Sequence, residues 1–261
     1  MTITRNEAIR ISLGIVGLGL IIGLIIQRGE SVVPAQANLP PLYWGDAVPK
    51  LVAAGVIDVA KLEEATGGLS DEEKAILKGD YRGEIKIGEA ESGFLLNTFW
   101  ALGLAQKSEV LAQGPMSSFK DVAYLASTGG WTVGRDGAGD YYLNKHQILN
   151  LTPEQEKIVY EVASNTYRPC CDNPTLFPDC NHGAALLGVL ELAASAGYKE
   201  EQLYALALRL NSLWFPGEYQ GIVEKFPNLS PKEALSAEYS SYSGWQKNVA
   251  AQVQGGASCA I

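Results

Sequence analysis

The feature that most constrains this chain is an uncharged apolar run from Ile11 to Ile26, preceded by Arg5 and Arg10 and followed by Arg28. A helix rises about 1.5 Å per residue, so sixteen residues fall short of a hydrocarbon core of about 30 Å. Flanking residues and snorkelling arginine side chains add the missing length. The run therefore predicts a single transmembrane helix within residues 1–29, with the lipid bilayer as the partner of residues 11–26.

The charges around this run predict its orientation. Positive residues precede the run and only Arg28 follows it closely, which places the N-terminus in the cytoplasm and the rest of the chain outside. The predicted location is the cell membrane, single-pass. An alternative is cleavage after Ala37, because Ala35-Gln36-Ala37 resembles a signal-peptidase site and would release the protein. Gly19 and Gly23 form a GxxxG pair that would suit a homodimer.

Residues 30–41 are polar and proline-bearing, without helical periodicity, and predict a tether. Residues 42–261 then predict one soluble, mainly helical domain, because apolar residues recur at helical spacing. Ser70 and Thr152 are typical helix starts, and Gly197 is a typical stop. The predicted helices cover residues 56–65, 71–77, 94–111, 119–126, 153–166, 184–195, 200–214 and 231–253.

One segment departs from this helical pattern. Between Trp131 and Leu143, β-prone residues flank a glycine-rich turn, which predicts a small β-hairpin. Asp136 and Asp140 within it do not match the spacing of an EF-hand calcium loop. The predicted fold class is therefore mainly α, with an N-terminal transmembrane helix and an extracytoplasmic helical domain that carries the hairpin.

The strongest chemical signal is a cluster of cysteine and histidine. Three of the four cysteines and one of the two histidines lie between residues 170 and 182. Thiolate and imidazole together suit zinc or copper, and the loop that contains Pro174 and Pro178 can bring ligands from its two ends together. The predicted metal ligands are Cys170, Cys171, Cys180 and His182, with Cys259 in reserve.

Cys180 is expected at the start of a helix, because an apolar helical run begins at Ala184. Backbone N–H groups and the positive end of the helix dipole favour a thiolate there, which lowers the cysteine pKa and raises its affinity for metal. The second histidine, His146, lies in a polar segment and is expected to be solvated rather than a ligand.

Two alternatives use the same cysteines differently. An even number of cysteines outside the cytoplasm can form two disulfides, in three pairings, which would make the chain a stapled structural or interaction subunit of a membrane complex. A Cys170–Cys171 bond would be strained, so each would more naturally pair with Cys180 or Cys259. A vicinal dithiol near a helix start also suits a thiol-disulfide oxidoreductase, although no Cys-x-x-Cys pair is present.

Other function classes are disfavoured by composition and motifs. A net charge of -9 and a pI near 4.8 argue against nucleic-acid binding, which depends on clustered Lys and Arg. The sequence has no Gly-x-Ser-x-Gly, Walker, Rossmann or His-Glu-x-x-His pattern. Cys180 and His182 are two residues apart, a spacing that rarely lets side chains face each other as a catalytic pair. Binding is therefore favoured over catalysis.

The segment from Arg168 to Gly188, together with residues 204–215 and the cysteine-bearing tail, resembles a group of single-span prokaryotic membrane proteins that has no established activity. A more distant similarity is to extracytoplasmic proteins with a Pro-Cys-Tyr-Cys-Gly-Cys motif. It rests on the clustered cysteines and the nearby histidine, since the motif itself is missing. That similarity implies metal binding. The sequence thus predicts a membrane-anchored, extracytoplasmic metal-binding protein.

Overall fold

A computed structural model describes residues 39–250. Short 3₁₀ turns at Glu89–Glu91, Pro115–Ser118 and Val122–Tyr124 lie between some of its helices. The α-helices of this part of the chain are α1 (Ala47–Ala53), α2 (Val59–Thr66), α3 (Asp71–Lys78), α4 (Ser92–Ala105), α5 (Glu109–Gln113), α6 (Gly139–Tyr142), α7 (Pro153–Asn165), α8 (Asn181–Ser195), α9 (Glu200–Trp214), α10 (Pro216–Lys225), α11 (Pro231–Ala234), α12 (Ala237–Ser240) and α13 (Tyr242–Asn248).

The core is organised around α4 and α8. Every residue of α8 from Gly183 to Ala194 is buried, as expected for a helix that is apolar all round. A Cβ atom at Gly103 would lie 1.9 Å from the Ala184 carbonyl oxygen, and one at Gly188 would lie 2.3 Å from the Phe99 carbonyl oxygen. The two backbones therefore touch, and only glycine permits this approach.

The other helices cover this pair. Helices α7 and α9 pack against α8, and α5 packs against α7. Helices α10 and α11 pack against α9, while α12 and α13 pack together near the C-terminal end of the described chain. Helix α1 contacts both α3 and α4. Cys180 directly precedes α8 and is partly exposed, whereas the helix is buried from Gly183 onward.

Several helix ends agree with the sequence prediction. Ser70 and Glu73 form a reciprocal capping box at α3, and Thr152 and Gln155 form another at α7. These side chains satisfy backbone N–H groups that a helix start leaves without partners. Gly197 follows α8 with φ of +90°, a left-handed conformation that glycine adopts without steric cost. The mainly helical character that periodicity predicts is correct for the described residues.

The predicted β-hairpin at Trp131–Leu143 is wrong. The described residues contain no β-strand, and the segment ends in the single helical turn α6. Its backbone groups bond to another part of the chain: Asp58 N–H donates to the Val133 carbonyl at 2.8 Å, and Arg135 N–H donates to the Gly55 carbonyl at 2.8 Å. Trp131 is buried and donates Nε1–H to the Val56 carbonyl. Long-range partners therefore replace the hairpin pairing.

Three predicted helices also differ. Residues 94–111 divide into α4 and α5, and residues 119–126 form only the 3₁₀ turn Val122–Tyr124. Residues 231–253 divide into α11, α12 and α13 as far as Asn248. Serine explains this last difference, because its side chain competes for backbone groups. Ser240 Oγ donates to the Ala234 carbonyl, and Ser241 Oγ accepts from Gly244 N–H at 3.0 Å. Helices α1 and α10 were not predicted, and Pro216 begins α10 as its first residue, a position that proline favours.

The predicted single-pass membrane location is likewise corrected. Across residues 39–250 no helix has the length and apolar character needed to cross a membrane. The run Ile11–Ile26, on which the transmembrane helix and its bilayer partner were based, lies outside the described residues, as do the GxxxG pair and Ala37.

Candidate metal centre

The predicted ligands lie in and next to the loop of residues 166–180 between α7 and α8. The loop is closed on itself, because Thr175 N–H and Oγ1 both bond to the Thr166 carbonyl, at 2.8 and 3.0 Å. Leu176 N–H donates to the Ala163 carbonyl in the last turns of α7 at 3.0 Å. These bonds bring the start of the loop, with Cys170, next to its end, with Cys180.

The three thiols of this loop are neighbours. Cys170 Sγ lies 3.7 Å from Cys180 Sγ and 4.0 Å from Cys171 Sγ. All three cysteines are free and partly exposed. The structure thus places the predicted thiol ligands Cys170, Cys171 and Cys180 together, whereas Cys259 lies outside the described residues.

His182 completes the main group. Its ring nitrogen and the sulfurs of Cys170 and Cys180 lie within 4.8 Å of one another, so the three could hold a metal ion. Cys180 is the residue before α8 and has an extended backbone, with φ of -120° and ψ of 167°. Its side chain therefore does not follow helical spacing relative to His182. This corrects the expectation that two residues so close in sequence would face apart.

Arg168 is the neighbour that the sequence analysis missed. Its side chain is fully buried. Nε donates to Cys180 Sγ at 3.1 Å, Nη1 donates to the Asn173 carbonyl at 3.0 Å, and Nη2 donates to Asp179 Oδ1 at 2.7 Å. A buried guanidinium is costly unless it is paired and hydrogen-bonded. Arg168 therefore ties the two ends of the loop together around the thiol group.

The guanidinium lies against the first turn of α8. A Cβ atom at Gly183 would be 2.5 Å from Arg168 Nη2, so glycine leaves the space that the cation occupies. A positive charge near a helix N-terminus is disfavoured by the helix dipole. The carboxylate of Asp179 and the sulfur of Cys180 offset this cost, because both accept hydrogen bonds from Arg168.

Asp179 forms a second potential metal group with Cys171 and Cys180, whose ligand atoms also lie within 4.8 Å of one another. Its carboxylate is already engaged, however. Oδ1 accepts from Arg168, and Oδ2 accepts from Asn173 Nδ2 at 2.6 Å. A metal would have to displace a bond to a buried cation, which favours the group of Cys170, Cys180 and His182.

The environment lowers the pKa of the Cys180 thiol well below its ordinary value. Hydrogen bonds with Cys170 and then Cys171 are the largest causes, and the positive charge of Arg168 acts in the same direction against the effect of burial. As predicted, Cys180 also caps α8, accepting from Gly183 N–H at 3.4 Å. Cys180 is thus the first of the three thiols to become a thiolate.

The other two thiols have raised pKa values. For Cys170 the causes are its hydrogen bonds with Cys171 and Cys180, followed by burial. For Cys171 the pKa is raised to about 11, since the hydrogen bond with Cys170 lowers it but the interaction with Cys180 and burial outweigh that effect. Without a metal, Cys170 and Cys171 therefore lose their protons at a higher pH than Cys180 does.

The loop and the histidine ring are supported from outside. Asn211 Nδ2 in α9 donates to the Tyr167 carbonyl at 3.0 Å, and Tyr242 N–H at the start of α13 donates to the Cys171 carbonyl at 3.0 Å. The ring of His182 packs on Phe215, with centroids 4.6 Å apart, and on Trp214 at 5.7 Å. These contacts hold the ligand set in place.

The second histidine lies in a different setting. His146 N–H donates to the Ala105 carbonyl at 2.8 Å, and its own carbonyl accepts from Lys107 N–H at 2.9 Å. Burial, with the nearby charges of Lys145 and Lys107, lowers its pKa. Neither of the two potential metal groups of the described residues includes His146, but its side chain is partly buried rather than solvated as predicted.

Compared with known proteins, the chain matches no family model, no curated protein and no solved structure. Its function is therefore argued from the geometry of this loop alone.

Proposed function

We propose that the protein binds a zinc ion through Cys170, Cys180 and His182. The observation that carries this proposal is the separation of 3.7 Å between Cys170 Sγ and Cys180 Sγ. Zinc binds sulfur at about 2.3 Å in a tetrahedral site, which places two sulfur ligands about 3.8 Å apart. The two thiols are thus already spaced as one edge of a zinc tetrahedron.

The imidazole supplies the third ligand. Zinc ligation predicts a sulfur-to-nitrogen edge of about 3.6 Å, and the ring nitrogen of His182 lies within 4.8 Å of both sulfurs. Rotation of the His182 side chain, whose ring is tilted by 47° against that of Phe215, closes the difference. The donor set of two sulfurs and one nitrogen suits a borderline metal.

Charge balance favours zinc over copper. Arg168 and Asp179 neutralise each other through their ion pair, so two thiolates are left to balance the metal. With a water molecule in the fourth position, a divalent ion gives a neutral site, whereas Cu(I) would leave one uncompensated negative charge in a largely buried loop, which is unfavourable.

The fourth position has one candidate within the described residues. Cys171 Sγ lies 4.0 Å from Cys170 Sγ, close to the sulfur-to-sulfur edge of about 3.8 Å expected at zinc. A water molecule is the alternative, and it would leave an open position of the kind found in catalytic zinc sites. Replacing Cys171 distinguishes these two possibilities, because the substitution reduces zinc affinity only if Cys171 is a ligand.

The test is elemental analysis with thiol titration on protein purified under reducing conditions. We expect about one equivalent of zinc, removed by chelator together with part of the stability of the fold. Cys180→Ser and His182→Ala should each lose the metal, while His146→Ala, which replaces the other histidine, should retain it. Reduced, folded protein that takes up no zinc would contradict the proposal.

A further inference from the structure

The Cys170 and Cys180 sulfurs are close enough to bond to each other as well as to a metal. Their separation of 3.7 Å is a direct contact with no atom between them. A disulfide requires about 2.05 Å, which side-chain rotation can supply where the Cβ atoms are correctly placed. Arg168 already joins the two ends of the loop through its bonds to Asp179 Oδ1 and Cys180 Sγ, so a covalent link between them costs little further chain entropy.

Cys171 is the less suitable partner for Cys170, although its sulfur lies only 4.0 Å away. A bond between adjacent cysteines forces a strained ring. The Cys171 carbonyl is moreover held by Tyr242 N–H, and the Asp172 carboxylate by Ser243 N–H at 2.7 Å. The backbone that such a ring would distort is therefore fixed by the start of α13.

We infer that Cys170 and Cys180 form a reversible disulfide that expels the metal, so the loop is a redox-controlled metal site. This inference rests on the proposed zinc function. The oxidant is a low-molecular-weight disulfide. One thiolate of the pair attacks a sulfur of that disulfide and releases a thiolate; the second cysteine thiolate then displaces the other half of the mixed disulfide as a thiolate, and both released thiolates take up protons from water. Cys170 and Cys180 lose two electrons, and the external disulfide becomes two thiols.

The loop tolerates this change. In the oxidised form the Cys180 sulfur carries no charge, but Arg168 keeps Asp179 Oδ1 at 2.7 Å and the Asn173 carbonyl at 3.0 Å. Its buried charge thus remains paired, and α8 keeps its start. Because both thiolates are consumed by the S–S bond, only His182 of the three ligands is left, which is too few to hold zinc.

The experiment exposes zinc-loaded protein to oxidised glutathione and follows zinc with a chromophoric chelator and free thiols by alkylation. We expect loss of two thiols for each zinc released, and recovery of zinc binding after reduction with dithiothreitol. Combined cleavage with trypsin and Asp-N places Cys170 and Cys171 in fragment 158–171, Cys180 in fragment 179–199 and Cys259 in fragment 248–261. The expected product is a 158–171 fragment linked to the 179–199 fragment.

Two variants identify the bond. Cys171→Ser should still form the link between these fragments and release zinc, whereas Cys170→Ser should not form it. Zinc retained under oxidised glutathione, with all thiols still alkylated, overturns the inference while the zinc site stands. A link to fragment 248–261, or a bond within 158–171, also overturns it. If the reduced protein binds no zinc, both the proposed zinc site and the redox-controlled release of zinc are overturned.

Discussion

Arg168 donates its Nε–H to the sulfur of Cys180 at 3.1 Å while its side chain is fully buried. The bond joins Arg168, the third residue of the loop, to Cys180, its last residue. Together with the hydrogen bonds from the two neighbouring thiols, which are the larger causes, the buried positive charge of Arg168 lowers the pKa of the Cys180 thiol. Asp179, at 2.7 Å from the same guanidinium, supplies the counter-charge. The chemistry of the cysteine loop thus depends on a residue that is not itself a ligand.

Replacement of Arg168 by Met should destabilise the reduced, metal-free protein by about 3–5 kcal/mol, because it leaves the carboxylate of Asp179 without its partner. Urea denaturation measures this loss. Lys157→Met is the matched control, since Lys157 is exposed and its contact with Glu161 is 3.8 Å long; its unfolding free energy should stay close to that of the parent. Equal effects of the two substitutions would contradict the account.

Gly183→Ala should weaken both the fold and zinc binding, because the added Cβ would lie 2.5 Å from Arg168 Nη2. Overpacking of this kind costs about 1–3 kcal/mol. The control is Gly217→Ala in α10, where a Cβ meets nothing within 4 Å and alanine is the better helix former. Gly183→Ala should therefore be less stable and bind zinc more weakly, whereas Gly217→Ala should be as stable as the parent or more so, with unchanged zinc affinity. A Gly183→Ala protein as stable as Gly217→Ala would show that Arg168 does not occupy this space.

The contact between α4 and α8 makes a similar prediction. Gly103→Ala places a Cβ 1.9 Å from the Ala184 carbonyl oxygen, so the helices must separate and the loss of stability should exceed 2 kcal/mol, about the upper part of the range for overpacked cores. Gly93→Ala, in the same helix but with no atom within 4 Å of the new Cβ, should be neutral or stabilising. Thermal unfolding of the pair measures the difference. Similar midpoints would exclude the close helix contact.

The buried carboxyl of Glu191 should make the stability of the fold depend on pH. It is fully buried in α8, and neither carboxyl oxygen has a hydrogen-bond partner among the described residues. Burial raises its pKa well above the ordinary value, the Ser108 hydroxyl offsets only part of this effect, and the charge of Glu156 adds to it. The folded state therefore keeps a proton that the unfolded chain releases above about pH 4.3.

The contribution of protonated Glu191 to the free energy of unfolding is complete below about pH 4.3. As the pH rises toward the raised pKa, this contribution falls by about 1.4 kcal/mol per pH unit. Glu191→Gln carries no charge and should remove this slope. The variant should match the parent near pH 4 and exceed it in stability at neutral pH, as measured by urea denaturation across the range. A difference between the two proteins that is the same at every pH would contradict the buried, protonated carboxyl.

Features set by neighbouring residues were predictable from the sequence. Helix α9, with ends at Glu200 and Trp214, and the capping boxes at Ser70 and Thr152 depend on local periodicity and local hydrogen bonds. The thiol and histidine group was predictable for the same reason, because Cys170 and His182 are separated by a short loop. Local information was enough to place these ligands together.

Features that depend on distant partners were not predictable. The hairpin prediction failed because Asp58 and Gly55 take the backbone bonds of residues 133 and 135. Arg168 was missed because its burial follows from the packing of the loop on α8, and an arginine in a polar loop is ordinarily exposed. Its position two residues before Cys170 is the only local signal.

Zinc K-edge X-ray absorption on the reduced, zinc-loaded protein tests the central claim most directly, since it reports the atoms bound to the metal. We predict two to three sulfur ligands at about 2.3 Å and one imidazole nitrogen at about 2.0 Å. Cys170→Ser should lower the sulfur count by one, and His182→Ala should remove the imidazole scattering. A shell of oxygen and nitrogen alone, unchanged in both variants, would contradict a zinc site in this loop.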